Sequence, residues 1–204
     1  MKIGLIPVSA KPYHAGHHAL VTRAAGENDQ VILYVSISDR KRKGQIPIMG
    51  ADMQRVWKEE LEPIMPGNVS IEYGGSPVRN VYVELDRADK AFSDDTYVVY
   101  SDPVDTARNY PEANRVKNFG DLYSRGNVLF AAEENPGAFT RGVGTPDVSG
   151  TAMRAALESC DIEAFRTGMP KGVNAENIRD ILCPTAPAMQ ERLIRKYVRA
   201  CFMG

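Results

Sequence analysis

All three histidines of the chain lie in one short segment, residues 11–18 (KPYHAGHH). His14 and His17 are three residues apart at the expected start of a helix, so their ring N–H groups can point to the same place. Gly16 between them permits close approach of the backbone. A helix N-terminus favours an anion such as phosphate, and two imidazole donors would stabilise negative charge that grows in a transition state. The segment therefore predicts an anion site with catalytic potential.

Two other interpretations of the histidines stay open. They could be structural residues that cap a helix, or His14, His17 and His18 could ligate a metal ion. A metal site would need a carboxylate or a fourth ligand close by, and no acidic residue stands beside the motif. We therefore expect no metal centre held by the protein alone.

A second candidate site lies at residues 147–154 (DVSGTAMR), which follow the last expected strand and begin a helix. Ser149 and Thr151 offer hydroxyl groups, and Gly150 lets the backbone approach a ligand. Arg154, one turn further along, has a rigid fork of N–H donors that suits phosphate oxygens. The structural alternative is an ordinary helix N-cap followed by a surface arginine.

Both motifs need a scaffold, and short apolar β-branched runs that alternate with helical patterns supply one. This alternation predicts an α/β protein with a Rossmann-like, five-stranded parallel sheet and helices on both faces. We expect strands at Ile3–Val8, Gln30–Ile37, Val69–Tyr73, Thr96–Tyr100 and Val128–Ala132, and helices between them at Gly16–Gly26, Ala51–Leu61 and Val78–Ala88. Ligands bind outside the carboxyl ends of such strands, so the two motifs are expected to hold two parts of one triphosphate.

The C-terminal third changes character, because helical patterns follow one another there without strands between them. We expect helices at Thr151–Ser159, Ile162–Thr167, Ala175–Leu182 and Pro187–Cys201. A chain of 204 residues is long enough for one full core. We therefore interpret residues 1–158 as an α/β domain and residues 159–204 as a helical tail packed on the same domain.

The composition argues against several classes of protein. With 43% hydrophobic residues, 25% charged residues and a formal net charge of -1, the chain has the balance of a soluble globular protein. The basic run at residues 40–43 (RKRK) is too local for a nucleic-acid-binding face. No apolar stretch approaches the ~20 residues that span a bilayer, and the N-terminal run is too short for a signal peptide. Three widely spaced cysteines predict neither a disulfide framework nor a zinc site and fit a reducing cytoplasm.

Other loops after the expected strands also carry polar residues. The loop at 38–44 concentrates positive charge that could attract a phosphorylated acceptor, although a solvated charged loop is an alternative. Ser76 is expected to cap the helix that Pro77 begins, and a tight turn is the first interpretation of its loop. Asp102 could accept from a ribose hydroxyl, support a magnesium ion, or cap the next helix. The candidates on the acceptor side are Arg40, Lys43, Arg55 and Ser76.

The order of the two motifs, H-x-G-H after the first strand and S-G-T-x-x-R near the end of the sheet, resembles the nucleotidyltransferase (cytidylyltransferase-like) superfamily. Within it, KPYHAGH is similar to the segment Q-P-F-H-x-G-H of archaeal-type nicotinamide-nucleotide adenylyltransferases. The size of the chain is also similar to that of small phage-encoded nucleotidyltransferases, whose compartment would be the host cytoplasm. The resemblance covers Ile3 to about Leu157. It departs from the family where Val8 and Ser9 replace the usual Gly-Arg ahead of the motif.

The resemblance implies an enzyme that transfers a nucleotidyl group from a nucleoside triphosphate to a small phosphorylated acceptor and releases pyrophosphate. It implies catalytic roles for His14, His17, Arg154 and Lys11. The residues expected to bind the nucleotide are Val8, Ser9, Gly16, Asp102, Ser149, Gly150 and Thr151. Mg²⁺ bound with the substrate would share the neutralisation of the triphosphate. No nucleic acid or membrane partner is expected, and a homo-oligomer is left open.

These motifs indicate the type of reaction more strongly than they indicate the two substrates. The S-G-T-x-x-R form resembles adenylyltransferases more than cytidylyltransferases, so ATP is favoured, and nicotinamide mononucleotide is the first hypothesis for the acceptor. One alternative is a cytidylyltransferase that acts on a phosphorylated alcohol or sugar. Another is a nucleotide-binding module without turnover.

Overall fold

A five-stranded, all-parallel sheet forms the centre of the protein in the computed structural model, which describes residues 1–183. The strands are β1 (Lys2–Val8), β2 (Gln30–Val35), β3 (Val69–Tyr73), β4 (Thr96–Val99) and β5 (Val128–Phe130). Their spatial order is β3-β2-β1-β4-β5. The predicted α/β class and the five parallel strands are therefore confirmed.

The central strand β1 is buried on both faces, which explains why its sequence is an almost unbroken apolar run. Leu5 and Ile6 are adjacent in the chain, point to opposite faces, and are both fully buried. Leu5 pairs with Ile32 of β2 on one side and Val99 of β4 on the other. The edge strand β3 instead alternates half-buried and exposed residues.

Helices cover both faces of the sheet. They are α1 (Ala15–Glu27), α2 (Gly50–Val56), α3 (Pro77–Lys90), α4 (Pro103–Asn109), α5 (Glu112–Ser124), α6 (Ala131–Glu134), α7 (Pro136–Phe139), α8 (Gly150–Glu158), α9 (Ile162–Gly168) and α10 (Ala175–Leu182). A π-helical turn at Trp57–Leu61 and a 3₁₀ turn at Glu62–Ile64 continue α2. Helices α1, α2 and α8–α10 contribute to one buried cluster, and α3 and α5 to the other.

Several expected boundaries differ from the structure. Three strands end one or two residues before Ile37, Tyr100 and Ala132, because the apolar pattern extends past the last paired residue of each strand. Tyr100 and Ala132 are still buried. The sequence patterns missed α4, α5, α6 and α7. Ser76 occupies the N-cap position of α3, but its side chain makes no capping hydrogen bond within residues 1–183. The helix expected at Pro187–Cys201 lies outside the described residues.

The helices after the last strand share the core of the α/β part. Phe165 of α9 and Ile178 of α10 belong to the same buried cluster as Ile6 of β1 and Trp57. Up to residue 183, no helix is long and apolar enough to cross a membrane.

The connectivity of the sheet fixes where a ligand can bind. From β1 the chain proceeds to β2 and β3 on one side, whereas β4 and β5 lie on the other side. The two connections therefore diverge at the carboxyl ends of β1 and β4, which leaves a crevice between the following loops. The histidine segment follows β1, and Asp102 follows β4.

Candidate active site

A cavity of about 710 Å³ opens at this crevice. Its volume lies within the range of roughly 300–1,000 Å³ that small-molecule sites occupy. The cavity wall includes ten of the residues that the sequence predicts for the site: Val8, Ser9, Lys11, His14, Gly16, His17, Arg40, Asp102, Gly150 and Arg154. Five others are not part of the wall: Lys43, Arg55, Ser76, Ser149 and Thr151. The two motifs thus meet at one cavity, as the parallel sheet requires.

The segment between β1 and α1 makes a tight turn at the base of the cavity. Ala10 is buried and has a φ of 42°, a left-handed conformation that a side chain disfavours. The Lys11–Pro12 peptide bond is cis. The Nζ of Lys11 donates to the carbonyl oxygen and to the Oγ of Ser36, both at 3.0 Å, and so ties the turn to the end of β2.

His14 and His17 lie side by side at the start of α1. Their ring centroids are 3.8 Å apart with an interplanar angle of 32°, and Tyr13 stacks on His17 at 5.4 Å. The Nδ1 atoms of both histidines are buried and have no hydrogen-bond partner among the described residues. Buried polar atoms normally have partners, so the packing of residues 1–183 alone does not satisfy these two nitrogens.

Burial keeps this imidazole pair neutral. It lowers the pKa of His14 to about 4, with smaller contributions from the cations Arg141 and Arg154. The pKa of His17 is well below its usual value, first because of burial and then because of His14 and Arg141. A neutral imidazole offers one N–H donor, so each ring can donate to an oxygen of a ligand.

The alternatives for the histidines receive no support from the geometry. His14 occupies the N-cap position of α1, yet its side chain accepts no capping hydrogen bond within the part of the chain that the structure describes. The Nδ1 of His18 contacts the hydroxyl of Tyr13 at 3.3 Å. No group of three or more His, Cys, Asp or Glu side chains in residues 1–183 is arranged to hold a metal ion.

Arg154 is buried, with only 7% of its surface exposed, so the surface-arginine interpretation is wrong. Its Nη1 donates to the carbonyl oxygen of Lys11 at 2.8 Å, its Nη2 to the Oγ1 of Thr151 at 2.9 Å, and its Nε to the Oε1 of Gln45 at 3.1 Å. None of these acceptors carries a charge. A guanidinium has five N–H donors, so one N–H on each terminal nitrogen stays available to a ligand.

Two glycines make room for these functional side chains. A Cβ on Gly16 would lie 3.1 Å from Cε1 and Nδ1 of His14. A Cβ on Gly150 would lie 3.0 Å from Nη1 of Arg154. Both distances are shorter than normal van der Waals contact, so each glycine is needed for the observed position of the side chain it faces.

The basic loop is held against the site by its backbone. Arg40 and Ile48 exchange two backbone hydrogen bonds, of 2.8 and 3.0 Å, and the N–H of Gly50 donates to Asp39 at 2.9 Å. A Cβ on Gly50 would meet the carbonyl oxygen of Ile37 at 1.7 Å, so only glycine fits. Arg40 therefore reaches the cavity, whereas Lys43 is exposed and outside its wall.

Asp102 both caps α4 and lines the cavity. Its Oδ1 accepts from the N–H of Asp105 at 2.8 Å, which is the capping role expected as one alternative. Asp105 also lines the cavity, and its pKa is raised, first by burial and then by the charge of Asp102. One oxygen of Asp105 is paired with Arg108, and two neighbouring carboxyl groups of this kind suit a divalent cation that substrate phosphates also hold.

The five predicted residues outside the cavity wall fall into two groups. Ser149 caps α8 by accepting from the N–H of Ala152 at 3.0 Å, and Thr151 accepts from Arg154. Both residues therefore stabilise the site without lining the cavity. Arg55 points its guanidinium at Glu59, one turn along the same helix, at 2.6 Å. Ser76 and Lys43 are exposed.

The structure also adds residues that the sequence did not reveal. Arg141, in the loop between α7 and α8, lines the cavity close enough to lower the pKa of both histidines. It has no acidic partner within residues 1–183. The glycine-rich stretch around it is the one signal that could have suggested a loop closing on a ligand. Gln45 and Asp105 had no comparable signal.

Comparison with known proteins yields no assignment. No protein-family model matches the chain, and no curated protein matches it significantly. The functional conclusion therefore rests on the geometry of the site.

Proposed function

We propose that the protein is a nucleotidyltransferase that passes the nucleotidyl group of a nucleoside triphosphate to a small phosphorylated acceptor. One observation carries the proposal: the buried guanidinium of Arg154 has no charged partner in residues 1–183, keeps two N–H donors free, and shares a cavity with two neutral imidazoles. An anion would supply the missing partner for all three groups.

The charge around the cavity favours a polyanion over a single carboxylate. Four cationic side chains line it, those of Lys11, Arg40, Arg141 and Arg154, against the carboxyl groups of Asp102 and Asp105. Burial first, and then the nearby cations Arg40 and Arg42, lower the pKa of Arg154. Binding of a triphosphate would relieve this repulsion between like charges.

The mechanism that suits these groups is an in-line displacement. An oxygen of the acceptor phosphate forms a bond to the α-phosphorus, the bond from that phosphorus to the bridging β-oxygen breaks, and pyrophosphate leaves with the electron pair. His14 and His17 donate to the oxygens where negative charge grows, and Arg154 holds the leaving pyrophosphate. Positioning and electrostatic stabilisation account for catalysis of this kind, and no covalent enzyme intermediate is required.

The cavity also suits Mg²⁺ that arrives with the substrate. Mg²⁺ is usually held by one or two carboxylates together with substrate phosphates and water, and Asp102 and Asp105 supply two carboxyl groups. When bound, the ion would neutralise part of the charge on the triphosphate.

The two substrates are proposed from the resemblance of the motifs. ATP is the first candidate for the donor and nicotinamide mononucleotide for the acceptor, with Arg40 on the acceptor side. Fold and phosphate site do not define an acceptor pocket. The acceptor is therefore the first substrate to identify by experiment.

A pyrophosphate-release assay tests the proposal. The protein is incubated with Mg²⁺, each of the four nucleoside triphosphates and a panel of phosphorylated metabolites, and His17→Asn serves as the matched control. We expect release that needs both a triphosphate and one class of acceptor and that the variant lacks. Binding of a triphosphate without release above the variant for any acceptor would instead identify a non-catalytic nucleotide-binding module.

A further inference from the structure

Gln45 joins two arginines that come from distant parts of the chain. Its side-chain Oε1 accepts from Nη1 of Arg40 at 2.7 Å and from Nε of Arg154 at 3.1 Å. Arg40 lies in the basic loop after β2, and Arg154 lies on α8, 109 residues beyond Gln45. Both arginines line the cavity, whereas Gln45 is not part of its wall. The amide therefore holds the two cations without touching the space that a ligand would occupy.

Without this contact, repulsion would favour movement of Arg40 away from Arg154, which Lys11 and Thr151 also hold. The two guanidinium groups carry the same charge, and the closeness of Arg40 contributes to the lowered pKa of Arg154 after the larger effect of burial. Neither arginine forms an ion pair with an acidic side chain within residues 1–183. The amide oxygen has two lone pairs and can accept one donor from each group.

The neutrality of Gln45 matters as much as its geometry. A carboxylate in the same place would form stronger, charge-assisted hydrogen bonds to both arginines. It would also cancel part of the positive charge that faces the cavity. A neutral acceptor fixes the two arginines and leaves their charge available to an anion.

The backbone of the basic loop keeps Gln45 in place. The N–H of Gln45 donates to the carbonyl oxygen of Arg42 at 3.2 Å, and Gly44 adopts the left-handed conformation, with a φ of 74°, that this turn requires. The backbone pairing of Arg40 with Ile48 closes the loop on either side of the turn.

We propose that Gln45 is a positioning residue that holds Arg40 and Arg154 together so that both guanidinium groups act on one polyphosphate chain. This rests on the proposed function, in which that chain is the triphosphate of the nucleotide. It extends that function by assigning Arg40 to the polyphosphate as well as to the acceptor side.

Two substitutions separate positioning from simple structural support. Gln45→Met keeps the size of the side chain and removes the acceptor, and Gln45→Glu keeps the acceptor and adds a negative charge. The probe is inorganic tripolyphosphate without Mg²⁺, with Kd measured by titration calorimetry and stability measured by urea unfolding. Gln30→Met and Gln30→Glu are the matched controls, because Gln30 is exposed at the amino end of β2, away from the cavity.

Both Gln45 variants should bind tripolyphosphate more weakly, but only Gln45→Met should lose stability. Gln45→Met should lower stability and weaken tripolyphosphate binding about tenfold, the effect of losing roughly one hydrogen bond to a charged group. Gln45→Glu should be at least as stable as the unchanged protein and still bind about tenfold more weakly, because it neutralises the cations. The Gln30 variants should bind like the unchanged protein.

If Gln45 only supported the fold, the affinity for tripolyphosphate would rise or fall together with the stability of each variant. Unchanged affinity in Gln45→Met, undiminished affinity in Gln45→Glu, a less stable Gln45→Glu, or no tripolyphosphate binding by the unchanged protein would each overturn the inference. The pyrophosphate-release assay separates it from the proposed function. Binding with the expected pattern but without turnover would reject the enzyme and leave the role of Gln45 intact.

Discussion

Nη1 of Arg154 donates a 2.8 Å hydrogen bond to the carbonyl oxygen of Lys11, 143 residues earlier in the chain. This contact joins the two motifs directly, since Lys11 begins the histidine segment and Arg154 ends the S-G-T-x-x-R segment. It is a buried hydrogen bond from a charged group, so it fixes the guanidinium relative to the imidazole pair. The function proposed for the cavity depends on this arrangement.

Replacing Arg154 with lysine should impair the proposed activity even though the charge is kept. A lysine ammonium is a compact donor on a flexible chain, and it lacks the planar fork that reaches Lys11, Thr151 and Gln45 together. We expect kcat/KM for pyrophosphate release to fall about 10²-fold, the loss typical of one preorganised donor. Arg166→Lys, in an exposed cluster with Glu163 and Glu176, is the control. Full activity in Arg154→Lys would show that charge alone is sufficient.

Removing the His17 imidazole should reduce turnover without unfolding the protein. His17→Ala should lose on the order of 10²–10³ in kcat, because the proposed mechanism would lose one donor to the growing charge. Steady-state kinetics give the loss, and circular dichroism checks the fold. Activity that survives nearly intact would refute the proposed role of His17.

Alanine at either glycine of the site should disturb function more than stability. The new Cβ of Gly16→Ala would press on His14, and that of Gly150→Ala would press on Arg154. A shift of a few tenths of an ångström in a catalytic group should lower kcat about tenfold. Gly26→Ala in α1 is the control, because its Cβ would meet no atom within 4 Å.

Gly26→Ala should gain stability and keep its activity, unlike Gly16→Ala and Gly150→Ala. Alanine is favoured over glycine by about 0.5–1 kcal/mol in a helix interior, and by less in the last turn where Gly26 lies, so Gly26→Ala should unfold at slightly higher denaturant and keep its activity. Equal activity in all three variants would mean that the positions of the facing side chains do not matter for turnover.

The neutral state of His14 predicts a loss of stability in acid. Its pKa is about 4 in the folded protein, chiefly because of burial, against 6.5 for an unperturbed histidine. Between these two pH values the unfolded chain binds a proton that the folded protein does not. The free energy of unfolding therefore falls as the pH is lowered from 6.5 towards 4, by about 3 kcal/mol, and this contribution is constant above pH 6.5.

Urea unfolding at pH 7 and pH 4.5 measures this contribution when the unchanged protein is compared with His14→Gln. The variant has the same carboxyl groups but no imidazole at position 14, so it should lose less stability on acidification. An identical loss in both proteins would show that His14 is not held neutral by the fold.

Local sequence patterns were sufficient for the five strands and for six of the ten α-helices in residues 1–183. All five strands were predicted from short apolar runs, and the bounds of β3 and α10 agree with the structure. Such runs can be recognised in the sequence alone, because burial of a strand or of one helix face places apolar residues at regular intervals along the chain. Helix α5 was missed because its sequence is largely polar and its backbone is kinked at Phe119, which interrupts the helical period.

The candidate site was predicted in part for the same reason. Histidines three residues apart around a glycine, and a serine-glycine-threonine turn followed by arginine, are local arrangements that the sequence alone displays. The order of the strands was also needed, since it brings the ends of β1 and β4 together. The parallel sheet then makes both motifs face one crevice.

Only the tertiary structure decided which of the remaining charged residues belong to the site. Ser76 follows β3, which is separated from β1 by β2, so it begins roughly 10 Å to the side of the crevice at a strand spacing of about 4.8 Å. Arg55 turns to Glu59 on its own helix, whereas Arg141 and Gln45 are brought to Arg154 and the histidines by loops. Loop paths depend on contacts between residues far apart in the chain, and these contacts leave no periodic trace in the sequence.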